Sequence, residues 1–119
     1  MAFANAVRVT PIRLEKRAAV SVATMVSADG TDGNKFTATS RTLLRVKNTD
    51  ASPITVTINT NATFKGLTLP DATFSAPATT GDVVWSGFEE HFHQNAAADV
   101  HVEFSAVAGV TLAVYEVVD

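Results

Sequence analysis

The chain has 119 residues, a formal net charge of −3 and no cysteine. That length makes one domain, large enough to bury a core, and the absence of cysteine excludes disulfide scaffolds, thiolate zinc sites and cysteine nucleophiles. Eight of the nine basic residues lie in residues 1–47 and nine of the twelve acidic ones in 48–119, so either one region is oriented toward an acidic partner or strands from the two halves interleave their charges.

The first 26 residues hold no long apolar run, because Arg8, Arg13, Lys16 and Arg17 interrupt it. A secretory leader needs about 7–15 consecutive apolar residues and a membrane helix about 20. The expectation is a soluble protein not exported by the general route, with no membrane partner. Val7-Arg8-Val9 alternates and stops at Thr10-Pro11, which suits a strand end or an edge because proline has no N–H to donate. Residues 12–18 read as extended or irregular, with a helical turn over Leu14–Ala19 as the competing pattern. Val20–Val26 is rich in β-branched residues and reads as a strand.

Asp29-Gly30-Thr31-Asp32-Gly33-Asn34-Lys35 is a turn, since Gly and Asn tolerate positive φ. Asp29, Asp32 and Asn34 are possible oxygen ligands for calcium. The spacing departs from an EF-hand loop, which alternates its ligands and ends in glutamate, so a solvated loop is expected. The clearest pattern in the chain follows, from Thr42 to Ile58: two strands joined by a polar turn. Side chains alternate between faces along a strand, so Leu44, Val46, Ile54, Val56 and Ile58 are predicted core residues. Arg45, Lys47, Thr55 and Thr57 then face solvent or a partner.

Beyond it, Asn59–Thr63 is a turn and Phe64–Leu69 a short strand or loop ending at Pro70-Asp71. Ala72–Ala78 returns as a strand, and Val83-Val84-Trp85 is another, ended by Gly87. Phe88–Gln94 is a further strand candidate. In Val100–Ser105, Val100, Val102 and Phe104 point one way and His101, Glu103 and Ser105 the other. Val110–Val118 is apolar on both faces, as in a mid-sheet strand or one covered by a second subunit. About eight short antiparallel strands at this spacing predict an all-β fold, a single small β-sandwich or jelly-roll-like domain.

Signals for chemistry are weak. His91-x-His93 with Glu89 would share one face of a strand, as in zinc faces and cupin barrels. The following residues lack the cupin glutamate, and His101 with Glu103 could complete a site only across strands. Histidines flanking a buried Phe92 are the expectation, with no metal and no cofactor. No serine sits in a G-x-S-x-G elbow, and Glu89-Glu90 would face opposite ways. Trp85 reads as a core residue rather than an exposed sugar platform. An enzyme is not expected. The basic half lacks aromatic–Arg interleaving and helix-turn-helix patterning, so nucleic acid is not an expected partner either.

Three stretches carry a family resemblance: Ser27-Ala28-Asp29-Gly30-Thr31-Asp32-Gly33-Asn34, Arg41-Thr42-Leu43-Leu44-Arg45-Val46-Lys47-Asn48-Thr49 and Ser52-Pro53-Ile54-Thr55-Val56-Thr57-Ile58. With the terminal Val110–Val117 run, the pattern over residues 27–119 resembles small all-β capsid decoration (head-stabilising) proteins of tailed bacteriophages, especially phages of actinobacteria. The segment 1–26 is longer and more basic than in that group. The resemblance implies a virion protein, made in the host cytoplasm, that sits on the outer capsid surface and clamps neighbouring major capsid subunits. It implies an extended N-terminal arm (1–17) on a β-sandwich (18–119), with Phe3, Val7, Arg8, Val9, Ile12, Arg13 and Leu14 docking on the major capsid protein. It further implies a homotrimer, and the two-sided apolar final strand puts Thr111, Ala113, Tyr115 and Val117 in the oligomer interface. Other readings are a head–tail connector or tail-tube protein, a virion carbohydrate-binding module and a metal-dependent cupin-like enzyme.

Overall fold

The computed structural model describes residues 3–22, 25–61 and 63–118. Among them are twelve strands: β1 (Val7–Arg8), β2 (Ile12–Glu15), β3 (Val26–Ser27), β4 (Asn34–Thr37), β5 (Thr42–Asn48), β6 (Ile54–Ile58), β7 (Thr63–Phe64), β8 (Leu67–Thr68), β9 (Ala72–Ala76), β10 (Gly81–Ser86), β11 (Asp99–Phe104) and β12 (Val110–Val118). One five-stranded sheet runs β1-β4-β11-β6-β9. The second runs β10-β5-β12-β2, with β3 sharing the β2 side of β12. A separate hairpin holds β7 and β8. The chain is all-β and its two sheets pack face to face as a small sandwich, as the strand patterns predict.

Alternation places the core. Leu44 and Val46 of β5, Val56 and Ile58 of β6, Val100 and Val102 of β11, and Leu112 and Val114 of β12 are fully buried between the sheets. Fully burying a side chain of this kind stabilises the fold by about 1.5–3 kcal/mol. Phe36 and Phe88 meet edge to face within this layer, ring centroids 5.1 Å apart.

The two strands of residues 42–58 are not partners. β5 lies in one sheet, between β10 and β12, and β6 lies in the other, between β11 and β9. Their polar turn is an arch over the end of the core. The buried Asn48 side chain holds it. Its amide donates to the carbonyls of Ser52, Ala76 and Pro77, and its oxygen accepts from the N–H of Asp50.

The N-terminal segment differs from the expected extended arm. β1 pairs in parallel with β4 at the edge of one sheet, and β2 pairs in parallel with β12 at the edge of the other. The chain changes sheets between them, at Val9-Thr10-Pro11, and Val9 is buried in the core. Proline fits this crossing because neither ladder needs its missing N–H. Residues 7–15 are therefore woven into the sandwich and do not form a separate unit, and the pairing is mixed rather than wholly antiparallel. Gly33 permits the close approach of β4 to β11: at φ +76°, a Cβ there would collide with the Val102 carbonyl oxygen. Its own carbonyl accepts the Val7 N–H at 3.0 Å.

Two local readings are corrected. Residues 88–94 contain a 3-10 turn at Glu90–Phe92, not a strand, and this turn drops Phe92 into the core. Of the strand expected over Val20–Val26, Val26 alone among the described residues lies in a strand, β3. Residues 18–22 carry no strand, and Ala23 and Thr24 lie outside the described residues.

Candidate interaction surface

The residues expected to dock are distributed over the folded sandwich. The Phe3 ring meets His101 edge-on at 5.7 Å, with the Lys35 ammonium 5.1 Å from its centroid. Val7 and Arg13 are exposed, Ile12 and Leu14 are half-buried, and Val9 is inside. Arg8 reaches across β4 to Asp99, the first residue of β11. Its Nη1 and Nη2 lie 3.1 and 2.9 Å from the two carboxylate oxygens.

Asp99 is almost completely buried, and a buried carboxylate needs donors to offset its desolvation. Besides Arg8 it accepts from the Thr37 hydroxyl at 2.8 Å and the Asn95 amide at 3.0 Å. The Arg8 bonds above all hold its carboxyl well below the usual carboxylate range, against the opposing effect of burial. The Arg8 guanidinium is pushed up in turn. Every strong partner of Asp99 is a structural donor, so the cluster is a clasp that fastens β1 to its sheet.

On the same outer face lies the buried His101. Its Nε2 is 2.7 Å from the Asp32 carbonyl oxygen, which can only accept, so Nε2 carries the proton. The other ring nitrogen then accepts from the Asn59 amide at 3.0 Å, and that amide also donates to Glu103 at 2.7 Å. His101 and Glu103 are thus engaged in a closed network.

His91 and His93 belong to the 3-10 turn and its end, not to a strand. His93 Nε2 lies 3.2 Å from the Phe88 carbonyl and His91 Nδ1 3.6 Å from Glu89. They border an open depression lined by Asn61, Glu90, His91, His93, Asn95 and Ala96. Among the described residues, no group of three His, Cys, Asp or Glu is arranged to hold a metal ion. The Asp29–Asn34 loop turns its oxygens inward, with Asn34 Oδ1 accepting from the Asp29 N–H and Asp29 Oδ2 from the Asp32 N–H. Trp85 packs against the core, its ring stacked on Phe74 at 5.3 Å and 14°.

The outer face of β12 carries Thr111, Ala113, Tyr115 and Val117. Both faces of the strand are apolar because the chain covers the outer one itself. The Tyr115 hydroxyl lies 3.4 Å from the Val22 carbonyl and the Thr111 hydroxyl 3.8 Å from the Met25 sulfur. Ala113 and Tyr115 are buried, and only Val117 is substantially exposed. Three of the four residues assigned to a subunit contact therefore sit at least partly under their own chain. Arg45 also lies on this face, between the Asp82 carboxylate (2.8 Å) and the Tyr115 hydroxyl (3.3 Å). These bonds push the Arg45 guanidinium up and the Asp82 carboxyl down. With Arg8–Asp99, this is the second place where the basic half of the chain is paired to the acidic half.

Two features went unread in the sequence. One is the β7–β8 hairpin. Lys65 and Gly66 form its two-residue turn, with φ of 51° and 82°, as type I′ hairpins require. Thr60 pins its base, donating from its N–H to Asp71 and from its hydroxyl to the Leu69 carbonyl at 2.7 Å. Asn61 ties the base to the 3-10 turn through the His91 carbonyl. Leu67 on this hairpin is 74% exposed. The available signal was the Lys65-Gly66 pair, since a glycine suits the positive φ of such a turn. The other is the outer edge of β10, with Val84 59% exposed.

No helix among the described residues is long and apolar enough to cross a membrane. No family model, no curated protein and no solved structure matches the chain.

Proposed function

We propose that this protein is a structural virion component, without catalytic residues, that binds the outer surface of a phage capsid and stabilises contacts between major capsid subunits. The observation that carries the reading is Leu67, held out on a hairpin whose base is pinned by Thr60 and Asn61. A large apolar side chain on a preorganised projection suits a protein–protein contact, because little conformational freedom is lost on docking. The sequence pattern of residues 27–58 supports the same reading.

Docking by a rigid surface replaces docking by an arm that orders on contact, which would cost about 1–2 kcal/mol per ordered residue. Of the expected docking residues, Val7, Arg8 and Arg13 are exposed enough to join it, Arg8 while paired with Asp99. Truncation of residues 1–17 is a poor test, since it strips Val9 from the core and an edge strand from each sheet. Leu67→Asp is the better one. It should leave the thermal transition unchanged and weaken co-sedimentation with empty capsids, assembled from the major capsid protein of the same genome, by about tenfold or more. Unchanged co-sedimentation overturns the reading.

A further inference from the structure

Most sheet edges of this molecule are blunted. β1 is two residues long, and β2 carries Arg13 and Glu15 and leads into Lys16 and Arg17. β9 is flanked by Pro70 and Pro77. Short length, charge and proline are the usual protections of an open edge. β10, Gly81-Asp82-Val83-Val84-Trp85-Ser86, is six residues long and carries no unmatched charge. It contains no proline or lysine, and its one charge, Asp82, is matched by Arg45 of the adjacent strand.

The ladder shows which backbone groups this edge leaves open. The Thr49 N–H bonds the Gly109 carbonyl, and the Val117 N–H bonds the Arg41 carbonyl. Odd-numbered residues of β5 therefore direct their backbone groups toward β12, and even-numbered ones toward β10. Through the register Val46↔Val83 and Leu44↔Trp85, the odd residues of β10 face β5. The N–H and C=O groups of Asp82, Val84 and Ser86 point away from the sheet, and no strand among the described residues pairs with them.

We infer that a second copy of this chain pairs with this edge, strand β10 against strand β10 in antiparallel register about a two-fold axis at Val84. The spacing is self-complementary. When Val84 faces Val84 of the second copy, Asp82 of each faces Ser86 of the other, and all are hydrogen-bonded positions. Each such pair exchanges two backbone bonds, about six in all. The side chains agree with this register. The exposed Val84 side chains cover one another. Each Asp82 carboxylate meets a serine hydroxyl that can donate to it, and no like charges meet. The second sheets of the two molecules become one continuous sheet. An isologous contact of this kind closes at two molecules and does not propagate. This inference is independent of capsid binding.

The test is sedimentation of the full chain across a concentration series, with amide exchange followed residue by residue. A reversible dimer is expected, in which the amides of Asp82, Val84 and Ser86 exchange more slowly as concentration rises. Val84→Lys should weaken self-association about tenfold or more, because two ammonium groups then meet at the axis. Val84→Glu should do the same. An equimolar mixture of the two variants should regain a heterodimer, an outcome specific to Val84 facing Val84. A wild-type chain that stays monomeric up to millimolar concentration overturns the inference. So does self-association that the lysine variant leaves intact, or a mixture that fails to pair while both variants remain folded.

Discussion

The Arg8 guanidinium lies side by side with the Asp99 carboxylate, its two terminal nitrogens 3.1 and 2.9 Å from the two oxygens, although the residues are 91 positions apart. This contact converts the first described strand from a potential loose tail into a sheet edge. Arg8 remains about half exposed while Asp99 is almost covered. Removal of the arginine therefore leaves a mostly buried charge with only neutral donors. Arg8→Ala should lower stability by about 1–3 kcal/mol, below the full range for a buried pair because solvent screens the exposed partner. Arg8→Lys should recover only part, since an ammonium cannot span both oxygens. Urea denaturation of the three proteins measures both differences, and faster amide exchange at Val7 and Val9 should accompany the loss.

Acid should act on the same clasp. The folded-state pKa values of Asp99 and Asp82 are both depressed, chiefly by their arginine partners. A depressed carboxylate contributes stability that is present above its unfolded pKa, about 3.9. The contribution is lost as pH falls from there through the folded value. The part of the urea midpoint that these two carboxylates supply should be flat from neutral pH down to about 5 and decline below about 4. Asp99→Asn should be less stable than wild type at pH 7, with the gap narrowing as the pH drops below about 4. A gap that stays constant over that interval would show that the carboxylate charge is not what Arg8 stabilises.

Asn48 is the second position where a single side chain organises distant segments. Its amide serves the carbonyls of Ser52, Ala76 and Pro77 from a fully buried site. Asn48→Ala would leave these acceptors with fewer partners and open a small void. A loss of about 2–4 kcal/mol is expected, readable as a drop in thermal midpoint. Asn48→Asp should be at least as damaging, because it replaces the donor with a charge facing carbonyl oxygens.

Trp85 carries a buried indole N–H that finds no acceptor among the described residues, while its ring stacks on Phe74. Trp85→Phe keeps the stack and removes the unpaired donor, so it should change stability by less than about 1 kcal/mol. Trp85→Ala, which removes the ring, should cost about 2–4 kcal/mol. If the phenylalanine variant is as damaging as the alanine one, the indole nitrogen has a partner in solution that stabilises it.

Part of the interaction surface is legible in the sequence and part is not. The apolar character of both faces of Val110–Val118 correctly indicated that the strand is covered on both sides. What covers it could not be read, because a second subunit and a returning loop place the same demand on the strand. The loop around Val22 and Met25 meets that demand within the molecule. The hairpin carrying Leu67 was passed over because its strands are two residues each, too short for alternation to register. The histidine pair was misplaced by a local ambiguity. Glu89–His93 alternates well enough for a strand, and burial of Phe92 decides for a 3-10 turn.

The sequence by itself determined that this chain is all β and which side chains of residues 42–58 lie inside. Side-chain alternation is a property of each strand alone, and burial needs only one apolar face. It did not determine that β5 and β6 lie in opposite sheets. A hairpin and an arch impose the same alternation on their strands, and the choice rests on Asn48 bonding to carbonyls 28 and 29 residues away. Nor did it determine the place of residues 7–15. Their backbone groups are satisfied in parallel by β4 and by the last strand, β12. Partners so distant become visible only once the core has brought both sheets together.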